Sequence, residues 1–434
     1  MSSALAAPKA SDAFTVTPDQ QVVIDALMMF LADPDPEHLF FVLSGFAGTG
    51  KTFCMKEVVA ILSRSRMKFA FTAPTNKAAK VLREIVGEAS TIYSLLGLRV
   101  DKSGELKTLL STKETSKFEE FDAVFVDEGS MVNKQLLTLL KNKSFEHNVK
   151  VIFMGDSAQL PPVNEAESGI WNVEAYRSAL TKVMRHDNQI LTLVTAIRNV
   201  IPNAISPSIK IVSDNDGSQG VWKLTVPDFK RSMYVRAEAG DFADGIACKV
   251  IAWRNVRVQE YNTIIRKAIF KEDAVEGYYL AGERIVAAAP CFRSDDTMLL
   301  ATDDEALVLR VQEGKHPREP KYRSLELLCS TESGATIRLL AIHPESRQQF
   351  ENDSQMLAHE AKANGKLWKR FWKHKELFHD IKYAYAITTH RAQGSTYENV
   401  WVDYQDILMN RNRKEAFQCL YVACSRPTTC LYLA

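Results

Sequence analysis

The sequence lacks the features that mark membrane, secreted or metal-stabilised proteins. Its best apolar run, Leu39 to Phe46, has the length of a strand and is broken by Ser44 and Gly45, whereas a membrane-spanning helix needs about 20 apolar residues. Its seven cysteines form no Cys-x-x-Cys pair and no cluster with histidine, which argues against a disulfide framework or a structural zinc site. We therefore expect a cytoplasmic protein with no membrane contact.

The chain also lacks a strong charge of either sign. Its 54 Lys and Arg residues balance 53 Asp and Glu residues, for a net charge of +1. No global field attracts a polyanion, so any nucleic-acid surface must be local. Hydrophobic residues make up 46% and charged residues 25% of the 434 residues, which excludes a largely disordered chain and predicts more than one globular domain.

Alternation of strand-like and helical stretches indicates the fold class. Apolar runs at 38–46, 68–74, 122–128 and 149–156 are separated by helical stretches, and the same alternation returns after 249. This pattern predicts an α/β protein with parallel sheets, a small hairpin in the first domain and a β-rich insertion in the second. The predicted parts are a flexible tail at 1–14, a first domain at 15–86 and 121–180, a hairpin insertion at 87–120, a second domain at 181–275 and 379–434, and an insertion at 276–378.

A phosphate-binding loop is the most specific signal in the chain. Residues 45–52 fit the pattern G-x-x-x-x-G-K-[ST], with a predicted strand before them and a predicted helix after them. Backbone N–H groups of such a loop surround a phosphate at a helix N-terminus, the lysine reaches the β- and γ-phosphates, and the hydroxyl binds Mg²⁺. The candidate nucleotide-binding residues are Gly45, Ala47, Gly48, Thr49, Gly50, Lys51 and Thr52.

Acidic and amide side chains follow two other predicted strands. Asp127 and Glu128 end the run at 122–128; we expect Asp127 to bind Mg²⁺ and Glu128 to act as the base that activates water. Gln159 follows the run at 149–156, and we expect it to sense the γ-phosphate at the same edge of the sheet. Arg185 and Arg426 are candidates for stabilising the transferred phosphoryl group, although an isolated arginine is more often a surface residue.

A basic and aromatic segment lies at 361–375. It contains six Lys and Arg residues and no acidic residue, with Trp368, Phe371 and Trp372 between them. Such residues can follow a nucleic-acid backbone and stack on bases. The same spacing is also that of an amphipathic helix with a buried aromatic stripe, and we favour core packing for these rings.

The order of these motifs resembles that of the superfamily-one helicases. Within them the chain is similar to the 5′-to-3′ branch, with the Dda-type helicases of phages and the RecD-like helicases. The similarity extends from Thr17 to the C-terminus and is weakest in the hairpin and the β-rich insertion. The segments that carry it are 17–20, 45–52, 73–76, 91–94, 127–130, 155–162, 180–185, 387–396 and 420–426.

The resemblance implies two RecA-like domains, an SH3-like insertion and an ATP hydrolase coupled to DNA strand separation. It implies that Gln20 reads adenine, that Gly394 approaches the nucleotide, and that Arg185 and Arg426 complete the ATP site. It further implies that ATP and Mg²⁺ are the cofactors and that the protein is a monomer. The implied partners are single-stranded DNA, DNA forks and single-strand-binding or replication proteins, in the cytosol of a bacterium or a phage-infected host. The DNA-contacting residues implied by the resemblance are Pro74, Thr75, Asn76, Thr91, Ser94, Thr389 and His390.

One departure from the family pattern keeps a second function open. Relatives commonly present an aromatic residue on the hairpin that splits the duplex, but no aromatic residue occurs here between Tyr93 and Phe118. The alternative is an ATP-driven translocase or clamp that remodels protein–nucleic acid complexes without unwinding. RNA also remains an alternative substrate, because contacts to a backbone carry little base information.

Overall fold

A computed structural model describes residues 16–46, 48–100, 106–108, 116–182, 189–205, 207–295 and 297–434. Within these ranges no helix is both long and apolar enough to cross a membrane. The predicted tail at 1–14 and the predicted hairpin turn at 102–104 lie outside them, as do Ala47 and Arg185.

The first part of the chain alternates strands and helices. Its helices are α1 (Pro18–Ala32), α2 (Lys51–Leu62), α3 (Asn76–Val86), α4 (Ile92–Leu95) and α5 (Lys134–His147). Its strands are β1 (Phe40–Gly45), β2 (Phe69–Ala73), β3 (Ser90–Thr91), β4 (Leu98–Val100), β5 (Leu106–Thr108), β6 (Ala123–Val126), β7 (Lys150–Gly155) and β8 (Tyr176–Leu180).

These elements form a parallel sheet in the order β3-β2-β6-β7-β1-β8, as the sequence predicts. Neighbouring residues of a strand point to opposite faces. In β1, Phe41 and Leu43 pack with α1, α2 and α3, while Phe40 and Val42 pack with α4 and α5. Strands β4 and β5 pair separately as the antiparallel hairpin that the turn pattern predicts.

The second part of the chain has a longer list of elements. Its helices are α6 (Gln189–Val200), α7 (Val226–Glu238), α8 (Asn255–Phe270), α9 (Pro344–Ala363), α10 (Trp368–Lys375), α11 (Thr389–Ala392), α12 (Tyr404–Leu408) and α13 (Arg413–Cys424). Its strands are β9 (Asp214–Asn215), β10 (Gly220–Lys223), β11 (Cys248–Ala252), β12 (Arg284–Ala287), β13 (Cys291–Phe292), β14 (Met298–Leu300), β15 (Glu305–Lys315), β16 (Arg323–Thr331), β17 (Thr336–Ile342), β18 (Ile381–Tyr383), β19 (Ala386–Thr388), β20 (Tyr397–Val402) and β21 (Pro427–Leu433).

A second sheet has the order β19-β11-β20-β21-β10-β9, parallel except for β9. Helices α6 and α13 cover one face, and α7 and α8 cover the other. The sheet combines strands that precede the insertion in the sequence with strands that follow it, as the sequence predicts. The chain is therefore an α/β protein with two RecA-like sheets.

The insertion is an antiparallel sheet with the order β17-β16-β15-β12-β18. Strand β18 pairs with β12, so Ile381–Tyr383 belongs to this sheet and not, as predicted, to the second domain. The sequence resolves this boundary poorly because β18 is short and lies next to a strand of the second sheet. Within the insertion, helix α9 packs on β16 and helix α10 packs on α9; the β-rich pattern does not predict α9.

The prediction of core packing for the aromatic rings of α10 is wrong. This helix has no buried residue, and Trp368 and Trp372 are each 37% exposed. The Phe371 ring instead contacts both tryptophan rings, at centroid distances of 5.4 and 5.0 Å. The helical spacing is correct, but the rings pack largely on one another and remain half-exposed.

Candidate ATP site and strand-contact surface

The predicted phosphate loop connects β1 to α2. Gly48 and Gly50 both have a φ of 82°, a left-handed conformation that favours glycine. Lys51 begins α2, and its Nζ donates to the backbone oxygens of Gly45 and Phe46 at 2.7 and 3.2 Å. The loop therefore has the backbone turn and the cation that phosphate binding requires; Ala47 lies outside the described residues.

Gln20 lies against this loop, as the resemblance implies. It forms a capping box with Thr17 at the start of α1, which fixes the backbone on either side of its side chain. Its buried Nε2 atom donates to the backbone oxygen of Thr49 at 3.4 Å. A Cβ atom on Gly50 would lie only 2.7 Å from that Nε2 atom. Gln20 thus touches the loop directly, but its contact with adenine stays a prediction.

Asp127 and Glu128 follow β6 and face the loop. The Thr52 hydroxyl donates to Asp127 Oδ2 at 3.5 Å, so the two predicted Mg²⁺ ligands are neighbours. Glu128 has a φ of 49°, which is unusual for a residue other than glycine. The strained backbone turns Glu128 away from the strand direction at the edge of the sheet.

Both carboxyl groups have pKa values above the usual range. Burial raises the pKa of Asp127, and the nearby Lys51 ammonium only partly offsets this. Burial and the Asp127 charge raise the pKa of Glu128 to about 7, with Arg426 and Lys51 acting in the opposite direction. The positive charges near these two adjacent carboxyl groups thus do not offset the effects that raise both pKa values. This condition favours the binding of a divalent cation.

Gln159 lies at the contact between the two RecA-like domains. Its Oε1 atom accepts from Nε2 of Gln393 at 3.1 Å, and its backbone oxygen accepts from Nε2 of Gln418 at 3.0 Å. Gln393 also donates to the Ser130 hydroxyl at 3.4 Å, close to the acidic pair. Gln159 is therefore held by the second domain, which suits a residue that couples the nucleotide to domain movement.

The neighbouring Asp156 forms a second link between the domains, and sequence reasoning missed its partners. Its buried carboxylate accepts from the Tyr421 hydroxyl at 2.5 Å and from Nη2 of Arg198 at 3.3 Å. The Arg198 guanidinium also lies 3.5 Å from the centre of the Phe46 ring in the phosphate loop. Arg198 is one arginine in a regular amphipathic helix, so no pattern in the sequence marks it.

Arg426 lies within the second domain, and its charge acts on Glu128. It is buried, and it donates to the backbone oxygens of Val422 and Ser395 at 2.9 and 3.0 Å. These bonds fix the guanidinium within the second domain, where its charge lowers the pKa of Glu128 in the first domain. Its predicted partner Arg185 lies outside the described residues.

The predicted strand-contact residues of the first domain share one edge of its sheet. Strands β2 and β3 pair with Ala73 opposite Thr91, which places the segments 74–76 and 91–94 side by side. The Thr75 and Thr91 hydroxyls cap α3 and α4, whereas Asn76 and Ser94 are exposed. Pro74 is buried and turns the chain between β2 and α3.

In the second domain the predicted residues have different surroundings. His390 is exposed, but Thr389 is buried and its hydroxyl donates to the backbone oxygen of Ala252 at 3.4 Å. Thr389 therefore ties α11 to β11, and its predicted strand contact stays a prediction. Gly394 has a φ of 75° and lies against Ala78 of α3, where an added Cβ would be 3.5 Å from the Ala78 Cβ. Gly394 thus meets the first domain, and its predicted approach to the nucleotide stays a prediction.

One further group has the chemistry of metal ligands. Ligand atoms of His390, Glu415 and Cys419 lie within 4.8 Å of one another. Burial raises the pKa of the Cys419 thiol far above its usual value, and a thiol is a poor metal ligand compared with a thiolate. The acidic pair beside Thr52 is therefore the better candidate for a metal.

Comparisons with known proteins agree with this geometry. The sequence model of the AAA domain family matches residues 16–207, and that of the UvrD-like helicase C-terminal domain matches residues 383–434. An uncharacterized protein of Acanthamoeba polyphaga mimivirus is 25% identical over 94% of this chain and 97% of its own length. The ATP-dependent DNA helicase dda of Enterobacteria phage T4 is 26% identical over 88% of this chain and 92% of its own length.

A solved structure has the same fold. The Pif1 helicase from Bacteroides in complex with ADP-AlF3 and ssDNA superposes with a TM-score of 0.51 at 16% identity, over 96% of this chain and 92% of that one. The similarity supports two RecA-like domains with an insertion. The motif order, the family matches and the curated relatives together show that the chain is similar to superfamily-one helicases, among them Dda and the RecD and Pif1 helicases.

Proposed function

We propose that the protein is an ATP-dependent DNA helicase that moves 5′ to 3′ on single-stranded DNA and unwinds duplexes. One observation carries the proposal furthest: Gln159 follows a strand of the domain with the phosphate loop, yet it is bonded to Gln393 and Gln418 of the other domain. A change at the γ-phosphate would therefore reach the second domain through one side chain. Such a link is what a motor needs and a simple nucleotide-binding protein does not.

The proposed hydrolysis uses the buried carboxyl pair. Thr52 and Asp127 fit a Mg²⁺ ion, because Asp127 is buried with too little positive charge around it; a bound Mg²⁺ would neutralise charge on the phosphates. Glu128 in its ionised form accepts a proton from the attacking water. Lys51 binds the β- and γ-phosphates after leaving its bonds to the loop oxygens.

The proposed DNA path follows the edge where 74–76 and 91–94 lie, and continues to His390 on the second domain. Asn76 and Ser94 are exposed there, and the N-terminus of α3 offers the positive end of a helix dipole to a phosphate. Closing and opening of the cleft would change the spacing of these contacts. Different DNA affinities in the two states would give the movement its direction.

The relatives support DNA and ATP as the ligands. The phage relative is named an ATP-dependent DNA helicase, and the Bacteroides Pif1 structure holds ADP-AlF3 and single-stranded DNA. The 5′-to-3′ direction rests on the family resemblance. We also propose that the protein works as a monomer, because the charge of Arg426 acts on Glu128 within one chain. We propose single-strand-binding or replication proteins as its partners.

The test is ATP-driven unwinding of two partial duplexes, one with a 5′ single-stranded tail and one with a 3′ tail, beside a 5′-tailed RNA control. Unwinding from the 5′ DNA tail alone is the expected result, and Lys51→Ala should abolish it by removing the phosphate-binding cation. Unwinding only from the 3′ tail would overturn the proposed direction. An active Lys51→Ala variant would overturn the proposed ATP site.

A second candidate function rests on the composition of the hairpin. Strands β4 and β5 pair as a hairpin. The sequence has no aromatic residue between Tyr93 and Phe118, the segment that contains this hairpin. A hairpin without a ring is a weaker wedge, which favours a translocase that displaces bound proteins. Displacement of streptavidin from the 3′ end of biotinylated single strands, without unwinding of the tailed duplex, would support this candidate over the first.

A further inference from the structure

Lys77 lies where three parts of the chain meet. It belongs to α3, one residue after the exposed Asn76, and thus to the first RecA-like domain. Its Nζ donates to the Tyr397 hydroxyl of the second domain at 3.0 Å and lies 4.0 Å from Oε1 of Glu305 in the insertion. A movement between any two of these parts must therefore change the surroundings of Lys77.

Glu305 is the shared anion of this junction. It is 4% exposed, and its Oε1 accepts from Nζ of Lys249, itself 1% exposed, at 2.9 Å. Its other oxygen lies 3.6 Å from Nε of Arg284. Burial raises the pKa of Glu305, but Lys249 and Lys77 outweigh burial and the pKa is lowered. Glu305 is therefore ionised and in contact with one cation from each of the three parts.

Lys77 is held to Glu305 less closely than Lys249 is. Lys249 makes a short bond to Glu305 and a second to the backbone oxygen of Ala384 at 2.7 Å, so it is fixed between the second domain and the insertion. Lys77 approaches Glu305 only to 4.0 Å and holds Tyr397 by one bond. If Lys77 leaves, Glu305 keeps Lys249 and does not become an unpaired buried charge.

From this geometry we infer that Lys77 is a positioning residue, which fixes the strand-contact segment 74–76 to the second domain and the insertion and releases it during the ATP cycle. The inference rests on the proposed function. Lys77 touches neither the nucleotide site nor, in our proposal, the DNA. Its effect is on how much movement along the strand each hydrolysed ATP produces.

Lys77→Met tests this inference, because methionine keeps an apolar stem of similar length and removes the charge. The control is Lys80→Met on the same helix, which breaks the exposed pair between Lys80 and Glu332 of the insertion (2.5 Å, 46% and 39% exposed) and so tests the loss of a link to the insertion alone. Lys77→Arg retains the cation and should restore function. Each variant is assayed for ATP hydrolysis without DNA, for unwinding of the 5′-tailed duplex together with the ATP hydrolysed during unwinding, and for its melting temperature.

The expected result is that Lys77→Met hydrolyses ATP normally without DNA but unwinds about fivefold fewer base pairs per ATP, the lower end of the range for coupling between two sites. Lys80→Met and Lys77→Arg should remain near the original ratio. An unchanged ratio in Lys77→Met, while the original protein unwinds, overturns the inference alone. If the original protein does not unwind, the proposed function fails first. A fall in the melting temperature of Lys77→Met with the ratio restored at lower temperature would assign Lys77 a purely structural role and also overturn the inference.

Discussion

The pKa of Glu128 gives a prediction whose size follows from the structure. Burial and Asp127 raise this pKa to about 7, and only the ionised carboxylate can accept a proton from water. With a pKa near 7, about 9% of Glu128 is ionised at pH 6 and about 91% at pH 8. We therefore expect kcat/KM for ATP, which reports the free enzyme, to rise about tenfold between pH 6 and pH 8.

The assay is steady-state ATP hydrolysis at low ATP, with Mg²⁺ supplied only in an amount equal to the ATP so that the free enzyme holds no metal, with saturating single-stranded DNA, in steps of half a pH unit. Glu128→Gln should lower kcat by about 10²- to 10⁴-fold, the range for loss of a general base, and its residual rate should not vary with pH. That variant is also the control for titration of ATP itself. A flat profile in the original protein, or an equal slope in Glu128→Gln, would refute the assignment of Glu128 as the base.

The same raised pKa affects stability. Because the folded protein holds the Glu128 proton more tightly than the unfolded chain, this group favours folding below about pH 4.5, and the contribution is lost as pH rises through about 7. Glu128→Gln should therefore be more stable than the original protein at pH 8 but not at pH 4. Urea unfolding at the two pH values measures the difference.

Two further changes test the packing around the site. Tyr421→Phe removes one of the donors to the buried Asp156 carboxylate and should cost about 1–3 kcal/mol of folding stability. Arg198→Ala removes a second donor, and in the double variant the two losses should not add. Additive losses in urea unfolding would contradict a shared link. Gly129→Ala should cost about 1–3 kcal/mol by overpacking, because its Cβ would lie 3.1 Å from the backbone oxygen of Met154 and 2.9 Å from Cδ1 of the buried Ile170. The control Gly365→Ala, with nothing within 4 Å of the new atom, should unfold like the original protein.

The errors of sequence reasoning have identifiable physical causes. The spacing of Trp368, Phe371 and Trp372 correctly predicts a helix, but spacing does not reveal whether another layer covers the ring side, and here the rings contact one another and solvent. The exposure of these rings depends on packing partners far away in the chain.

The sequence alone determined the features that contiguous residues encode. A phosphate loop needs glycines at left-handed positions and a lysine at the helix start, and all of them lie within eight residues, so the pattern predicts Lys51 and its loop directly. Alternating apolar runs predict the parallel sheets for the same reason, since burial on both faces of a strand is a local pattern. The sequence also predicts the acidic pair of Asp127 and Glu128, because these two residues end such an apolar run.

Only the tertiary structure decided which side chains join the domains. Gln393 reaches Gln159 across 234 residues of sequence, and Tyr421 reaches Asp156 across 265. Lys77 meets Glu305 from another part of the chain, and nothing local distinguishes it from Lys80 three residues later. Hydrogen bonds and ion pairs depend on distances of a few ångströms, which the folded arrangement of both domains and the insertion sets and no local sequence pattern contains.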